Sequence, residues 1–123
     1  MTLLPLLGED DEYVFSDISP FMVDEARRRF SDHAQVSFEV FDLEDAKGQQ
    51  ARFDLIVAAN VIHATSDLER SLASIQNQLS ESGYVLLLEG VQPLLWLDLI
   101  FGLTKGWWAF ADSWREGHPL LSA

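Results

Sequence analysis

Two stretches, RFDLIVAAN at 52–60 and YVLLLEG at 84–90, are apolar almost from end to end, and the segment between them has a helical period. A strand that alternates apolar and polar residues covers a core with one face. One that does not alternate is buried on both faces, as strands of parallel sheets are. The segment between them, SDLERSLASIQNQLS, opens with Ser66 and Glu69 at the S-x-x-E spacing of a capping box, and repeats Leu68, Leu72, Ile75 and Leu79 at helical intervals. Strand, helix and strand in this order predict a right-handed βαβ unit.

The same rhythm holds upstream. EYVFSDI (12–18) reads as a short strand and SPFMVDEARRRF as a helix, with Ser19 at its N-cap and Pro20 in the first helical position. Asp24 and Glu25 come early and Arg27 to Arg29 late, as the helix dipole favours. Met22, Ala26 and Phe30 predict its apolar face, and QVSFEVFDL (35–43) a further strand. The whole reads as α/β with a parallel sheet covered on both sides. Residues 12–92 form the expected βαβ core. A helix over about 93–103 and an aromatic-rich tail to 123 follow, the latter carrying Trp107, Trp108 and Trp114 after Trp96 in the helix. These tryptophans either cover a sheet edge or a neighbour, or line an acyl-substrate channel.

Composition removes several classes of function. A net charge of −12, from 20 acidic and 8 basic residues, opposes binding to nucleic acid or anionic membranes. The greasiest stretch is interrupted by Glu89, Gln92, Pro93 and Asp98, which argues against a membrane span. The N-terminus lacks the basic start and long apolar run of a secretory signal. With no cysteine there is no disulfide or thiolate metal site, which fits a cytoplasmic location. His33, His63 and His118 show no zinc-site spacing.

Ligands of open parallel sheets collect beyond the carboxyl ends of the strands. Those ends carry Asp17, Asp42, Asn60 with His63 in the next loop, and Glu89. Asp17 suits a ribose-hydroxyl acceptor or a turn aspartate before the helix. Asp42 suits an adenine-amino acceptor or a surface turn. His63 and Glu89 stand 26 residues apart, one strand-helix-strand step, so a crossover can bring them side by side. A carboxylate on one imidazole nitrogen fixes the tautomer and strengthens the other nitrogen as a base; a structural histidine is the plainer alternative. No G-x-S-x-G elbow is present, and no two glycines are separated by a single residue, so no glycine-rich phosphate loop exists in the sequence.

EYVFSDISPFMVDEARRRF, FDLIVAANVIHAT, YVLLLEG and WLDLIFGLTKGWWAFAD with the later HPLL resemble the C-methyltransferase domain of modular polyketide synthases, from about residue 3 to 122. That family has the class I S-adenosylmethionine-dependent methyltransferase fold. The resemblance implies that Asp17 binds the cofactor ribose, that Asp42 lies beside adenine, and that Asn60 lies near the methionine part of S-adenosylmethionine. It makes His63 the catalytic base and Glu89 its acidic partner. The implied reaction is methylation of the α-carbon of a β-ketoacyl thioester on an acyl carrier protein, among neighbouring synthase domains.

The resemblance also implies an incomplete Rossmann-like sheet. Met1 stands where the family's glycine-rich cofactor loop has just ended, so the first, central strand with that loop, and the C-terminal strands, are expected to be missing. A fragment, a split domain and a self-standing remnant are the three expectations, with weak or no cofactor binding and no activity expected of the chain alone. Two other functions stay open: a non-catalytic methyltransferase-like module of a megasynthase, and a small-molecule O-methyltransferase.

Overall fold

The computed structural model describes residues 4–45 and 52–120. The ends of the expected domain, 1–3 and 121–123, and residues 46–51 lie outside the described residues. The chain divides into two compact units, Met1–Asp42 and Leu43–Ala123, with the division inside the span read as the βαβ core.

In the first unit, β1 (Tyr13–Asp17) and β2 (Val36–Val40) pair in parallel, Tyr13 opposite Val36 and Asp17 opposite Val40, and α1 (Pro20–Arg29) connects them. Pro20 opens the helix as expected, and Ser19 has the extended backbone of an N-cap, but its hydroxyl makes no capping bond. Asp17 instead takes the Ser19 N–H on Oδ1 at 2.8 Å. The buried face is Val23 and Ala26, with Phe30 half-buried, whereas Met22 is 49% exposed. The expected i, i+4 stripe is thus turned by one residue, because 23, 26 and 30 fall on one side of a 3.6-residue helix. Exposed ion pairs Arg27–Asp24 and Arg28–Glu25, both 2.6 Å, add little stability.

In the second unit, β3 (Phe53–Ala59), α2 (Leu68–Gln78) and β4 (Leu79–Leu88) form the expected βαβ unit, with β3 and β4 parallel. A helix α3 (Leu95–Phe101), shorter than expected, and a 3-10 turn at Lys105–Trp108 follow. The core is Ile62, Leu68 and Ile75, with Leu43, Ile56 and Leu79 packed against it.

Three expectations are corrected here. The cap of α2 is Asp67, whose Oδ1 accepts the Arg70 N–H at 3.0 Å, and not Ser66 with Glu69. Ser66 is engaged by Glu44, which takes both its N–H and its hydroxyl. Next, β4 starts at Leu79, not Tyr84: Leu79 pairs with Phe53, and the register then shifts so that Tyr84 faces Leu55. Gly83 permits this crowding, since a Cβ there would sit 3.0 Å from the Phe53 carbonyl oxygen and 2.9 Å from the Leu79 side chain. Finally, β3 and β4 are not buried on both faces. Ile56 packs on the core and Ala58 is buried, but Leu55 and Val57 are exposed, as are all of Tyr84 to Leu88. Two-sided burial needs two covering layers, and the described residues pack on one face only.

Among the described residues β1–β2 and β3–β4 are separate two-stranded parallel sheets. Among these residues no helix is long and apolar enough to cross a membrane.

Candidate functional site

The polar constellation of the second unit grows out of the end of β3. Asn60 donates its N–H to the Leu88 carbonyl at 2.8 Å, the last rung between the two strands, and then turns the chain through a left-handed backbone conformation, φ 54°. Asparagine tolerates that region better than β-branched or bulky residues. The turn leaves the N–H groups of Val61 and Ile62 without a strand partner, and Glu89, next after β4, supplies one. Its Oε1 accepts from both amides at 2.8 Å, and its Oε2 lies 2.6 Å from His63 Nδ1. One carboxylate thereby fixes the loop backbone and the imidazole together.

His63 and Glu89 are largely enclosed, with side-chain exposures of 14% and 15%. Burial pushes the Glu89 carboxyl up, but the bond to His63 and the two amide donors outweigh it and hold the group below its ordinary value. An ionised Glu89 accepts only, so the proton of this contact belongs on His63 Nδ1, and Nε2 carries the free lone pair. The Trp107 ring meets the His63 ring edge-on, centroids 5.6 Å apart. Trp107 is itself stacked on Phe101 at 5.4 Å, and its indole N–H donates to Asp98 Oδ1 at 3.0 Å. Of the four tryptophans only Trp107 is buried, so one of them walls the histidine.

The tail contributes two residues that the sequence reading overlooked. Arg115 is buried, and its guanidinium donates to the carbonyls of His63 at 2.9 Å and Thr65 at 2.8 Å. Asp112 holds that guanidinium through Nε and Nη2 and also accepts the Leu68 N–H at the start of α2. The Arg115 bond, opposed by burial and aided by the Leu68 amide, keeps the Asp112 carboxyl below its ordinary value. Removing one member of such a buried pair costs about 3–5 kcal/mol, because the other charge is stranded. The available signal was an i, i+3 acid–base pair inside an otherwise aromatic tail.

Of the residues singled out from sequence, Asn60, His63 and Glu89 are brought together in the second unit. Asp17 and Asp42 belong to the first. Asp17 is half-buried at the end of β1, and part of the turn reading holds for it, since Oδ1 takes the Ser19 amide; no protein partner reaches Oδ2 among the described residues. Asp42 is exposed just beyond β2.

A methyltransferase-domain family matches residues 1–85. The non-reducing polyketide synthase atr1 of Stereocaulon alpinum is 38% identical over 98% of this chain, which spans 5% of that synthase. Among solved structures, the CurJ carbon methyltransferase superposes with a TM-score of 0.90 and 37% identity, covering 97% of this chain and 33% of its own. The CMeT domain of the citrinin polyketide synthase gives 0.88 and 37%, covering 98% of this chain and 32% of its own. The chain thus spans about a third of those solved chains, and its α/β arrangement is part of a class I methyltransferase fold. On the family match across more than half of its length, the chain belongs to the methyltransferase-domain family and resembles, within it, the C-methyltransferase domains of polyketide synthases.

Proposed function

We propose that this chain carries the proton-abstracting half of an S-adenosylmethionine-dependent C-methyltransferase acting on the α-carbon of a β-ketoacyl thioester presented by an acyl carrier protein. The observation that carries the reading is the 2.6 Å contact between His63 Nδ1 and Glu89 Oε2, made from adjacent parallel strand ends. An α-proton between two carbonyl groups is acidic enough for an imidazole. His63 Nε2 accepts it, the electron pair left on carbon delocalises onto both carbonyl oxygens, and Glu89 stabilises the imidazolium that forms. General-base catalysis of this kind supplies roughly 10²–10⁴-fold.

S-adenosylmethionine, when bound, supplies the electrophilic methyl group. Asp17 fits the ribose hydroxyls chemically: it is an anionic acceptor at a strand end, and its Oδ2 is not taken by a protein donor among the described residues. Asp42 is assigned to the adenine amino group and Asn60 to the methionine portion. Neighbouring synthase domains are the assigned partners, in keeping with the multidomain relatives.

The test, like the kinetic measurements below, places this chain within a complete C-methyltransferase domain, supplies a β-ketoacyl thioester and S-adenosylmethionine, and locates the new methyl by mass spectrometry. Methyl on the α-carbon, lost in His63→Ala, is the expected result. Methyl on oxygen, or an unchanged rate in His63→Ala, overturns the assignment. Calorimetric titration with S-adenosylmethionine checks the cofactor separately, and Asp17→Ala is expected to weaken whatever binding the chain has.

A further inference from the structure

Between Val61 and Ser66 the chain makes a tight turn whose polar groups are held by the turn itself, by Glu89 and Arg115, and at Ser66 by Glu44 and Ala111. The carbonyls of Val61 and Ile62 are taken inside the turn by the N–H groups of Ala64 and Thr65. The amides of Val61 and Ile62, with the His63 ring, are taken by Glu89. The carbonyls of His63 and Thr65 are taken by Arg115, and that of Ser66 by the Ala111 N–H at 2.8 Å. An anion therefore grips the donor side of the turn and a cation grips its acceptor side. Glu89 makes no bond to the peptide after His63, whose N–H donates to the Val61 carbonyl inside the turn and whose carbonyl is held by Arg115.

We propose that Arg115, aimed by Asp112, is a positioning residue for His63: it locks the His63 and Thr65 carbonyls so that Nδ1 stays on Glu89 and Nε2 stays free as the base. Arginine suits the task because its planar fork spans two carbonyls and a carboxylate at once, which an ammonium group cannot do. Its side-chain exposure is 0%, and each guanidinium nitrogen has a hydrogen-bond partner. Asp112 fixes more than the guanidinium, since it also accepts from the backbone N–H groups of Trp114, Arg115 and Leu68. The Phe110 ring lies 5.2 Å from the guanidinium carbon and closes the remaining side. The tail thereby becomes part of the catalytic loop's support.

This role rests on the reading of His63 as the base, so the experiment separates the two. The chain is labelled with ¹⁵N-histidine, the His63 ring is assigned with His63→Gln, and the tautomer is read at mildly alkaline pH in the parent, Arg115→Lys and Asp112→Asn. Gly83→Ala, a destabilising change in the same unit, in β4 and remote from the loop, where its Cβ would meet Phe53 and Leu79, serves as the stability control. The expected result is a nearly pure Nδ1–H form in the parent and in Gly83→Ala, and a mixed population in the two clamp variants. Methyl transfer by Arg115→Lys is expected to fall about 10–100-fold in kcat with KM little changed, since small misplacement of a reacting group has effects of that size. It is expected to lower the residual rate of His63→Ala no further.

An unchanged tautomer in both clamp variants overturns the proposal, as does an equal loss of rate in the His63→Ala background. Outright unfolding of both clamp variants overturns it too, by showing a general scaffold role. Methyl transfer unaffected by His63→Ala, with the tautomer shift present, refutes the base assignment instead and leaves the clamp standing.

Discussion

Glu89→Gln is the most informative single perturbation, because it keeps the side chain's shape while removing its charge and reversing one hydrogen bond. The glutamine oxygen can still accept from the Val61 and Ile62 amides, each now 2.8 Å from Oε1. Its NH₂ group then faces His63 Nδ1, at what is now a 2.6 Å contact. Two donors cannot share that contact, so the imidazole moves its proton to Nε2 and presents Nδ1 as an acceptor. The nitrogen assigned to take the α-proton becomes a donor. A base left in the wrong tautomer loses on the order of 10⁴-fold in turnover, which corresponds to about 5 kcal/mol in the barrier. Stability falls much less. Two charge-assisted bonds become neutral ones and a third is reversed, a change of about 2 kcal/mol. The assay pairs ¹⁵N-histidine NMR of the tautomer with methyl-transfer kinetics and a urea melt. A Glu89→Gln chain that keeps the Nδ1–H form, or keeps turnover within about ten-fold of the parent, refutes the reasoning; loss of fold comparable to loss of activity does so as well.

Further outcomes follow from other parts of the second unit. Ile75→Ala, at a 3% exposed position between Ile62 and Leu68, is expected to cost about 2–5 kcal/mol in urea unfolding. Gly83→Ala is expected to cost about 1–3 kcal/mol, since its Cβ would press on the Phe53 carbonyl at 3.0 Å, and a neutral result would show that the register shift relaxes freely. Glu89 and Asp112 both have folded-state values below their ordinary ones, so their stabilisation is complete above the unfolded carboxylate range, about pH 4, and is lost as pH falls through the lower folded values. Acid titration followed by circular dichroism is therefore expected to show a shallower loss of stability below pH of about 4 in Glu89→Gln than in the parent.

The sequence carried the βαβ unit because period and length were unambiguous: LERSLASIQNQ cannot bury its leucines as a strand, and DLIVAA is too short for a buried helix. It also carried the His63–Glu89 meeting, since one crossover fixes which strand ends are neighbours. The cap of α2 was misread for a local reason. Ser66 and Asp67 are both good caps, and only the position of Glu44, which a one-dimensional reading does not contain, decides that Ser66 is engaged elsewhere. The exposed sides of β3 and β4 were illegible for the converse reason. Apolar character reports what a strand can bury and not whether a neighbour covers it, and Leu55, Val57 and Leu86 are apolar yet exposed.

Arg115 shows why the support of a site is harder to read than its chemistry. The imidazole and its carboxylate are announced by strand ends, where a parallel sheet concentrates ligands. A residue that acts on main-chain carbonyls has no such address, because every position offers the same carbonyl and no side chain marks which one is held. Arg115 reaches the His63 carbonyl across 52 residues of sequence. What selects it is the need to neutralise a buried charge completely: once Asp112 has taken one edge of the guanidinium, the other edge must find acceptors. The His63 and Thr65 carbonyls meet that need. Enclosure of the tail and order in the His63 loop are then one requirement, and a substitution at either end is felt at the other.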